Sequence, residues 1–319
     1  MSHLLNKNAL ILIVALLPLG AQDDVTRFST DTRLVLLHAT VVDKNGSLVT
    51  NLEKDAFTVF ENNVAQTLRL FRREDVPVSL GLVVDNSGSM RDKRKKVESA
   101  ALALVKASNP GDEVFIVNFN DDAWLDVEFT NDLKIMEEGL SKIDSRGGTA
   151  MRDALSMSID YLKDKGKKDK KIILVITDGN DNTSTMTIER LVEKVQQSEV
   201  LVYAIGLLSE EERREANRAK RALEAITHAS GGQSYLPKEV DEVDKVSLQV
   251  AHEIRSQYVL AYTPSEAALD GTFRNIRVAV KGANRPVVRT RTGYYATKDN
   301  QLPKTPAPVK PSGTNSVRP

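Results

Sequence analysis

The chain has 319 residues, enough for about two domains of roughly 100–200 residues each. Hydrophobic residues make up 41% of the chain and charged residues 28%, as in an ordinary soluble globular protein. The 44 basic and 44 acidic residues cancel to a formal net charge of zero, so the composition gives no argument for binding to nucleic acid or to an anionic membrane surface.

The N-terminal segment has the order of features that is typical of a secretory signal peptide. Lys7 precedes an apolar run from Ala9 to Leu17, and Pro18 and small residues up to Ala21 follow that run. This order predicts export of the protein and removal of residues 1–21. The alternative is an N-terminal membrane anchor, but the apolar run is shorter than the roughly 20 residues that a spanning helix needs.

The chain contains no cysteine, so neither a disulfide nor a lipidated N-terminal cysteine is available to it. Extracellular domains of eukaryotes usually rely on disulfides. Together with the signal peptide, the lack of cysteine favours a bacterial protein that is periplasmic or secreted.

Residues 30–76 have the pattern of a small antiparallel β segment. Apolar and polar side chains alternate on both sides of Asn45-Gly46, which is a strong hairpin signal, and the pattern repeats around Asn62-Asn63. We therefore expect strands joined by turns at these two dipeptides.

From Val78 onward, apolar runs alternate with amphipathic stretches of helix length, which predicts a parallel sheet covered by helices on both faces. We expect residues 77–257 to form this doubly wound α/β domain. The predicted strands are Val78–Asp85, Glu113–Asn120, Lys171–Asp178 and Val200–Leu207. The predicted helices are Lys93–Ala107, Asp132–Ile143, Ala150–Lys163, Ile188–Ser198, Glu210–Ala229 and Val240–Gln257. Ala123–Phe129 follows the second strand too closely for a crossover helix, so it is predicted to pair antiparallel with that strand at the sheet edge.

Strand signals return in residues 258–296, in the stretches YVLAYTP, FRNIRVAVKG and PVVRTRTGYYA. Because a hairpin is not stable alone, we expect this segment to pair with residues 30–76 in one small β-sandwich, with the α/β domain inserted between them. The alternative is that each β segment packs separately on the α/β domain. Residues 297–319 are rich in proline and nearly free of large apolar side chains, which predicts a disordered tail.

Oxygen-bearing side chains occur at three points of the predicted α/β domain. Asp85, Ser87 and Ser89 follow the first parallel strand at alternate positions, Thr149 follows two glycines at the start of a helix, and Asp178 ends the third parallel strand. Doubly wound sheets bind their ligands outside the carboxyl ends of the strands. We therefore expect the three loops to meet at one point.

These side chains have the chemistry of a divalent-metal site. Two carboxylates and three hydroxyls are hard oxygen donors, which suit Mg²⁺, Mn²⁺ or Ca²⁺ and suit zinc poorly. Because only two donors carry a formal charge, a cation held there stays electrophilic and keeps positions open for water or for a carboxylate of a partner. The predicted metal ligands are Asp85, Ser87, Ser89, Thr149 and Asp178. The alternative interpretation is three unrelated polar turns.

Neighbouring polar residues leave two interpretations open. Asp153, one helical turn after Thr149, either supports the ligands from behind or is a first-turn acid that the helix dipole favours. Asn180, Asp181 and Asn182 are equally compatible with additional ligands and with a polar loop.

The motifs DNSGSM, GGT and TDG resemble, in this order, the von Willebrand factor A domain and its metal-ion-dependent adhesion site (MIDAS). The resemblance covers Val78 to about Gln257 and includes all five predicted ligand positions. It implies that the two serines and the threonine bind the metal directly in ligand-engaged states, and that the aspartates bind it directly or through water. From Arg33 to Ala296 the chain is also similar to VWFA-related secreted proteins common in Acidobacteria, which supports export and implies no specific ligand.

The first functional hypothesis is an exported module for adhesion or scaffolding, in which the bound cation, Mg²⁺ or else Mn²⁺ or Ca²⁺, coordinates a Glu or Asp of a partner protein. It includes no catalytic residue, no nucleic-acid partner and no stable membrane insertion after signal cleavage. The alternatives are a Mg²⁺-dependent hydrolase and a structural assembly subunit of the cell envelope. No general base or phosphate-binding loop is evident in the sequence near the ligands, and the intact ligand set argues against a purely structural role.

Overall fold

The computed structural model describes residues 34–73, 75–141, 145–179, 181–209, 212–282 and 286–297. The predicted signal peptide, Asn180 and residues 298–319 of the predicted tail lie outside the described residues. Within the described ranges, no helix combines the length and the apolar character needed to cross a membrane.

The described part of the N-terminal segment forms four strands. They are β1 (Val35–Val42), β2 (Phe57–Glu61), β3 (Val64–Gln66) and β4 (Leu68–Arg72). Asn62 and Asn63 join β2 to β3 with φ angles of 47° and 66°. Positive φ at both central residues is the geometry of a type I′ hairpin, which asparagine tolerates. The second predicted turn is therefore confirmed.

The first predicted turn forms without a complete second strand. Gly46 has a φ of 81°, yet the returning chain makes only the isolated bridge between Val42 and Leu48. Beyond it, the Tyr258 hydroxyl donates to the Val49 carbonyl (2.9 Å) and accepts from the Leu52 amide (2.9 Å). A side chain of the C-terminal segment thus takes the place of a ladder partner.

The α/β region contains six strands and six helices in its described ranges. The strands are β5 (Val78–Asp85), β6 (Glu113–Phe119), β7 (Ala123–Thr130), β8 (Lys170–Thr177), β9 (Val200–Gly206) and β10 (Ser234–Tyr235). The helices are α1 (Arg94–Lys106), α2 (Leu133–Ser141), α3 (Met151–Lys165), α4 (Ile188–Gln197), α5 (Arg213–Ser230) and α6 (Val243–Arg255).

These strands form one main sheet in the order β10-β9-β8-β5-β6-β7. Neighbouring strands are parallel except for β6 and β7, which are antiparallel at the edge as predicted. One hydrophobic core joins the sheet to α1, α2 and α6, and a second core joins it to α3, α4 and α5. All eight residues of β5 are buried between these layers. The prediction of a doubly wound, mostly parallel sheet is confirmed.

The C-terminal strands complete two small antiparallel sheets with the N-terminal strands. They are β11 (Tyr258–Tyr262), β12 (Phe273–Val280), β13 (Val287–Arg289) and β14 (Gly293–Tyr295). One sheet has the order β13-β1-β11-β4 and the other β14-β12-β2-β3. Side chains of both sheets share one core, which includes Leu37, Val59, Tyr258, Leu260 and Ile276. The predicted sandwich is confirmed, and separate packing of the two β segments is wrong.

The main sheet is inserted between two neighbouring strands of the sandwich. β4 leads into β5, and α6 leads into β11 through only Ser256 and Gln257. β4 and β11 are themselves paired antiparallel, with Arg72 opposite Val259. The chain therefore enters and leaves the α/β region at adjacent points.

A buried carboxylate joins the two regions. Glu253 of α6 accepts hydrogen bonds from Tyr203 (3.0 Å) and Thr40 (3.2 Å) on one oxygen. Its other oxygen accepts from Tyr235 (2.7 Å) and from the Arg289 guanidinium (2.6 Å). Because the donors come from β1, β9, β10 and β13, this group fixes α6 against both the main sheet and the sandwich.

Candidate functional site

The first polar loop begins at the buried carboxyl end of β5. Asp85 is the last residue of that strand and is 1% exposed. Its Oδ1 accepts from the Ser87 amide (2.8 Å), and its Oδ2 accepts from the Thr177 hydroxyl (2.5 Å) at the end of the adjacent β8. The carboxylate is thus held by its own loop and by the neighbouring strand.

The ionised form of Asp85 is poorly solvated. Burial raises the pKa of this carboxyl from 3.8 to about 6, and the negative charge of Asp178 adds to the effect. Hydrogen bonds from Thr177 and Ser87 lower the pKa and so oppose the shift. A desolvated carboxylate near a second one gains stability from a cation placed between them.

Hydroxyl groups link the first loop to the loop after β8. The Ser87 and Ser89 hydroxyl oxygens are 3.1 Å apart, and Ser89 Oγ donates to Asp178 Oδ1 (2.8 Å). The second oxygen of Asp178 accepts a hydrogen bond from Lys93 Nζ. The structure therefore places four of the five predicted ligands in one contiguous group.

Thr149 brings a third segment to the same place. It is 4% exposed, and its amide donates to Asn182 Oδ1 (2.9 Å) in the loop after β8. The Gly88 amide donates to the Gly147 carbonyl (3.2 Å), which joins the first loop to the turn before Thr149. A Cβ atom on Gly179 would lie 3.8 Å from Thr149 Oγ1. The threonine hydroxyl thus lies beside the loop that carries Asp178, and the predicted meeting of three loops is observed.

Asp121, in the β6–β7 turn, is a residue that the sequence did not single out. Its Oδ1 accepts from the Gly148 amide (2.7 Å). A Cβ atom on Gly148 would lie 2.6–2.9 Å from side-chain atoms of Thr183, Asn182 and Asp121, so a larger residue there would push these side chains out of place. Asp121 therefore helps to fix the turn that positions Thr149. The available sequence signal was an acidic residue directly after a strand that ends at the carboxyl edge.

Asp153 supports the loop after β8. Its Oδ2 accepts from the Thr185 amide (2.9 Å) and hydroxyl (3.1 Å), and its Oδ1 accepts from the Met186 amide (2.9 Å). These contacts favour the supporting role over a purely helix-dipole role. Asp181 is bound to Arg152 through the backbone amide (2.7 Å) and the guanidinium (2.9 Å), so it too holds the loop.

The donor chemistry of this group fits a hard divalent cation. Serine and threonine hydroxyls rotate freely and can turn a lone pair toward a metal, while the two carboxylates supply the charge. In the part of the chain that the structure describes, no cluster of three or more His, Cys, Asp or Glu side chains is arranged to hold a metal. The oxygen group at the carboxyl edge is the candidate metal centre because of its donor chemistry, and ligation by its five members stays a prediction.

Part of the α/β region is similar to a known domain family. Residues 80–180, which contain all five predicted ligands, match the family model of the von Willebrand factor type A domain. The calcium-activated chloride channel regulator 1 of the horse, Equus caballus, is 28% identical over 159 residues, which are 47% of this chain and 16% of that protein. The chain thus spans a small part of the length of that curated relative.

Two solved structures are similar in fold. The von Willebrand factor type A structure from Catenulispora acidiphila has 12% identity and a TM-score of 0.49, and the match covers 85% of this chain and 75% of that one. Proximal thread matrix protein 1 from the mussel byssus, solved with a zinc-occupied MIDAS motif, has 16% identity and a TM-score of 0.47, over 60% of this chain and 48% of that one. The family match identifies residues 80–180 as a von Willebrand factor type A domain, a type that is typically a protein-binding module.

Proposed function

We propose that the protein is an exported, metal-dependent binding module for adhesion or scaffolding. Asp85, Ser87, Ser89, Thr149 and Asp178 would hold a divalent cation, with Mg²⁺ as the expected ion and Mn²⁺ and Ca²⁺ as further candidates. The cation supplies a positive centre that a Glu or Asp carboxylate of a partner protein can coordinate. The family match supports protein binding in general, and the identity of the ligand as an acidic side chain is our proposal.

The observation that carries this proposal is the position of the Ser89 hydroxyl. It lies 3.1 Å from the Ser87 hydroxyl and 2.8 Å from the Asp178 carboxylate. Oxygen donors from two separate loops are therefore close enough to bind the same cation. Their chemistry is that of a Mg²⁺ site rather than of a zinc site.

The proposed chemistry of the chain's own residues is binding without bond cleavage. The two buried carboxylates balance the two positive charges of the cation without exceeding them, so the cation stays electrophilic and an open coordination position can accept a further anionic ligand. The neutral hydroxyls add oxygen donors without adding negative charge. A partner carboxylate then forms a charge-assisted contact in a partly buried place, where such contacts are strong.

Export is the part of the proposal that rests on the N-terminal sequence alone, with its apolar run and its small residues before Gln22. The mass of the protein recovered from the periplasm or the medium tests it. We expect a mature chain that begins at Gln22, and recovery of the intact precursor in the cytoplasm would contradict export.

Metal binding is tested by titrating the full chain with Mg²⁺ in a calorimeter. We expect saturable binding by the wild-type protein and none by Asp85→Ala, because the variant lacks one of the two charged donors. Equal binding heats for both proteins would exclude the proposed site.

Partner binding is tested by affinity capture from cell-envelope extract with Mg²⁺, with EDTA, and with the Asp85→Ala variant. We expect a protein that is captured only by the wild type in Mg²⁺, and whose capture a glutamate-rich peptide inhibits. Equal capture under all three conditions would make metal-mediated adhesion wrong. Turnover of a phosphate or peptide substrate that disappears in Asp85→Ala would instead favour the hydrolase.

A further inference from the structure

A lysine side chain reaches into the candidate metal centre. Lys93 Nζ forms an ion pair with Asp178 Oδ2, and the two side chains are 25% and 1% exposed. Asp178 is thereby shared between the Ser89 hydroxyl on one oxygen and an ammonium on the other. A positive charge of the chain itself thus lies on a predicted metal ligand.

The backbone of Lys93 is held by hydrogen bonds, whereas its side chain takes no part in capping the helix. Its amide donates to the Met90 carbonyl (3.0 Å), and its carbonyl accepts from the amides of Lys96 and Val97 (3.1 Å each). Its side chain makes no capping hydrogen bond to α1. A lysine stem is long and flexible, and its ammonium is strongly hydrated. The ammonium can therefore exchange Asp178 for water without unfolding the start of the helix.

The local sequence around Lys93 runs against the usual preference of a helix start. Four consecutive cations, Lys93–Lys96, stand at the N-terminus of α1, where the helix dipole favours acidic residues. Arg94 is neutralised by Glu98 (2.6 Å), whereas the partner of Lys93 is the buried carboxylate of the candidate site. A departure from the helix-start preference beside a candidate site indicates a function for Lys93.

We propose that Lys93 is a built-in competitor of the divalent cation, and that its ammonium sets the metal concentration at which the site fills. This inference rests on the proposed function, because it assigns a role at the same site. In this proposal the metal takes Asp178 Oδ2, the oxygen that Lys93 neutralises, so metal binding displaces Lys93 to solvent. Affinity for the metal is lowered by that displacement, and partner binding becomes sensitive to the divalent-ion level outside the cell.

The test compares Lys93→Met with the matched variant Lys95→Met in the full chain. Lys95 is an exposed cation of the same helical turn, so its removal changes the net charge equally without freeing Asp178. In calorimetric titrations with Mg²⁺, we expect Lys93→Met to bind about tenfold more tightly than the wild type. Lys95→Met should stay within about twofold of the wild type, because exposed charges are well screened.

A second measurement separates competition from a merely structural role. In EDTA, Lys93→Met should unfold at a lower temperature than the wild type, since Asp178 stays buried without a counter-charge. Saturating Mg²⁺ should raise the unfolding temperature of Lys93→Met by more than that of the wild type. A structural role would lower the unfolding temperature in both conditions and leave the size of the Mg²⁺ shift unchanged.

The possible results are distinct. Wild-type Mg²⁺ binding with equal or weaker binding by Lys93→Met overturns the competition and leaves the metal site in place. Lack of Mg²⁺ binding by the wild type, Lys93→Met and Lys95→Met alike overturns the proposed function as well. If Lys93→Met does not fold, Lys93→Gln serves in its place with the same expected tightening, and Lys93→Arg, which keeps the charge, should not tighten binding.

Discussion

The two ends of the main sheet both bury carboxylates, but they satisfy them in different ways. At the amino end, Asp112 accepts from the amides of Val78 (2.8 Å) and Asn109 (3.0 Å) and pairs with Arg255. At the carboxyl end, Asp178 accepts from one serine hydroxyl and one lysine ammonium.

This difference separates a structural group from an exchangeable one. Backbone amides and a guanidinium can only donate, and the amides cannot move away from their carboxylate. A hydroxyl can rotate and offer a lone pair instead, and a flexible ammonium can give way to another cation. Asp112 is therefore fixed in the fold, while both side-chain donors of Asp178 are of a kind that can give way to another ligand.

The largest expected effect comes from a variant that changes only the carboxyl end of the main sheet. Asp85→Asn should weaken Mg²⁺ binding by at least about a hundredfold, because it removes a charged ligand while keeping the shape of the side chain. The protein should remain folded in EDTA, since a buried charge has been removed. Mg²⁺ titration and thermal unfolding of the same samples check both statements, and undiminished Mg²⁺ affinity would contradict them.

A second variant changes only the buried carboxylate at the amino end of the main sheet. Asp112→Asn should lower the free energy of unfolding by about 2 kcal/mol, because Arg255 loses the charge of its buried partner and keeps only the exposed Asp75 as a charged partner. Its Mg²⁺ affinity should equal that of the wild type. Urea denaturation and Mg²⁺ titration measure the two quantities, with Asp178→Asn as the matched variant that should lose metal affinity. The contrast between the two ends would disappear if Asp112→Asn impaired metal binding.

The amino end also predicts a pH dependence of stability. Burial, with a contribution from the charge of Arg255, lowers the pKa of Lys170 from 10.5 to about 7. Between these values the unfolded state binds more protons than the folded state, so the free energy of unfolding rises with pH.

We expect a rise of about 1.5 kcal/mol from about pH 7 to pH 8.5. Urea denaturation at each pH measures it, and the rise should be absent in Lys170→Met. An equal rise in the variant would assign the effect to another group.

The smallest expected effect comes from removing one of two hydroxyl donors to a buried carboxylate away from the main sheet. In the sandwich, Glu61 accepts from the hydroxyls of Tyr262 (2.6 Å) and Tyr294 (3.0 Å). Tyr262→Phe should cost about 1 kcal/mol of unfolding free energy, because the second tyrosine still donates. Mg²⁺ binding should not change. A change in Mg²⁺ affinity would contradict this expectation, because it would show that the Glu61 group in the sandwich influences the site at the carboxyl end of the main sheet.

Features with local signals were predictable from the sequence. The apolar runs of the main sheet predicted strands such as β5, which begins at Val78 and ends at Asp85 as expected. The rule that doubly wound sheets bind ligands outside the carboxyl ends of their strands also predicted that Asp85, Thr149 and Asp178 lie at one edge. β10 was missed, since its two residues are too few to show a periodicity.

Features that depend on how loops fold back were not predictable. Lys93 meets a carboxylate that lies 85 positions further along the chain, and Asp121 meets a glycine 27 positions away. Neither contact leaves a pattern in the residues between. The sandwich is intermediate, since each β segment needed a partner, but nothing in the sequence indicated that β11 would lie between β1 and β4.

The pairing of Arg72 with Val259 gives the chain a modular construction. For the sandwich, everything between these residues is equivalent to the loop of a β-hairpin, because its two ends emerge side by side from neighbouring strands. A domain joined in this way can be inserted, replaced or removed without changing the strand order of its carrier. The α/β region and the sandwich are therefore separable in topology, although the Glu253 group couples their packing.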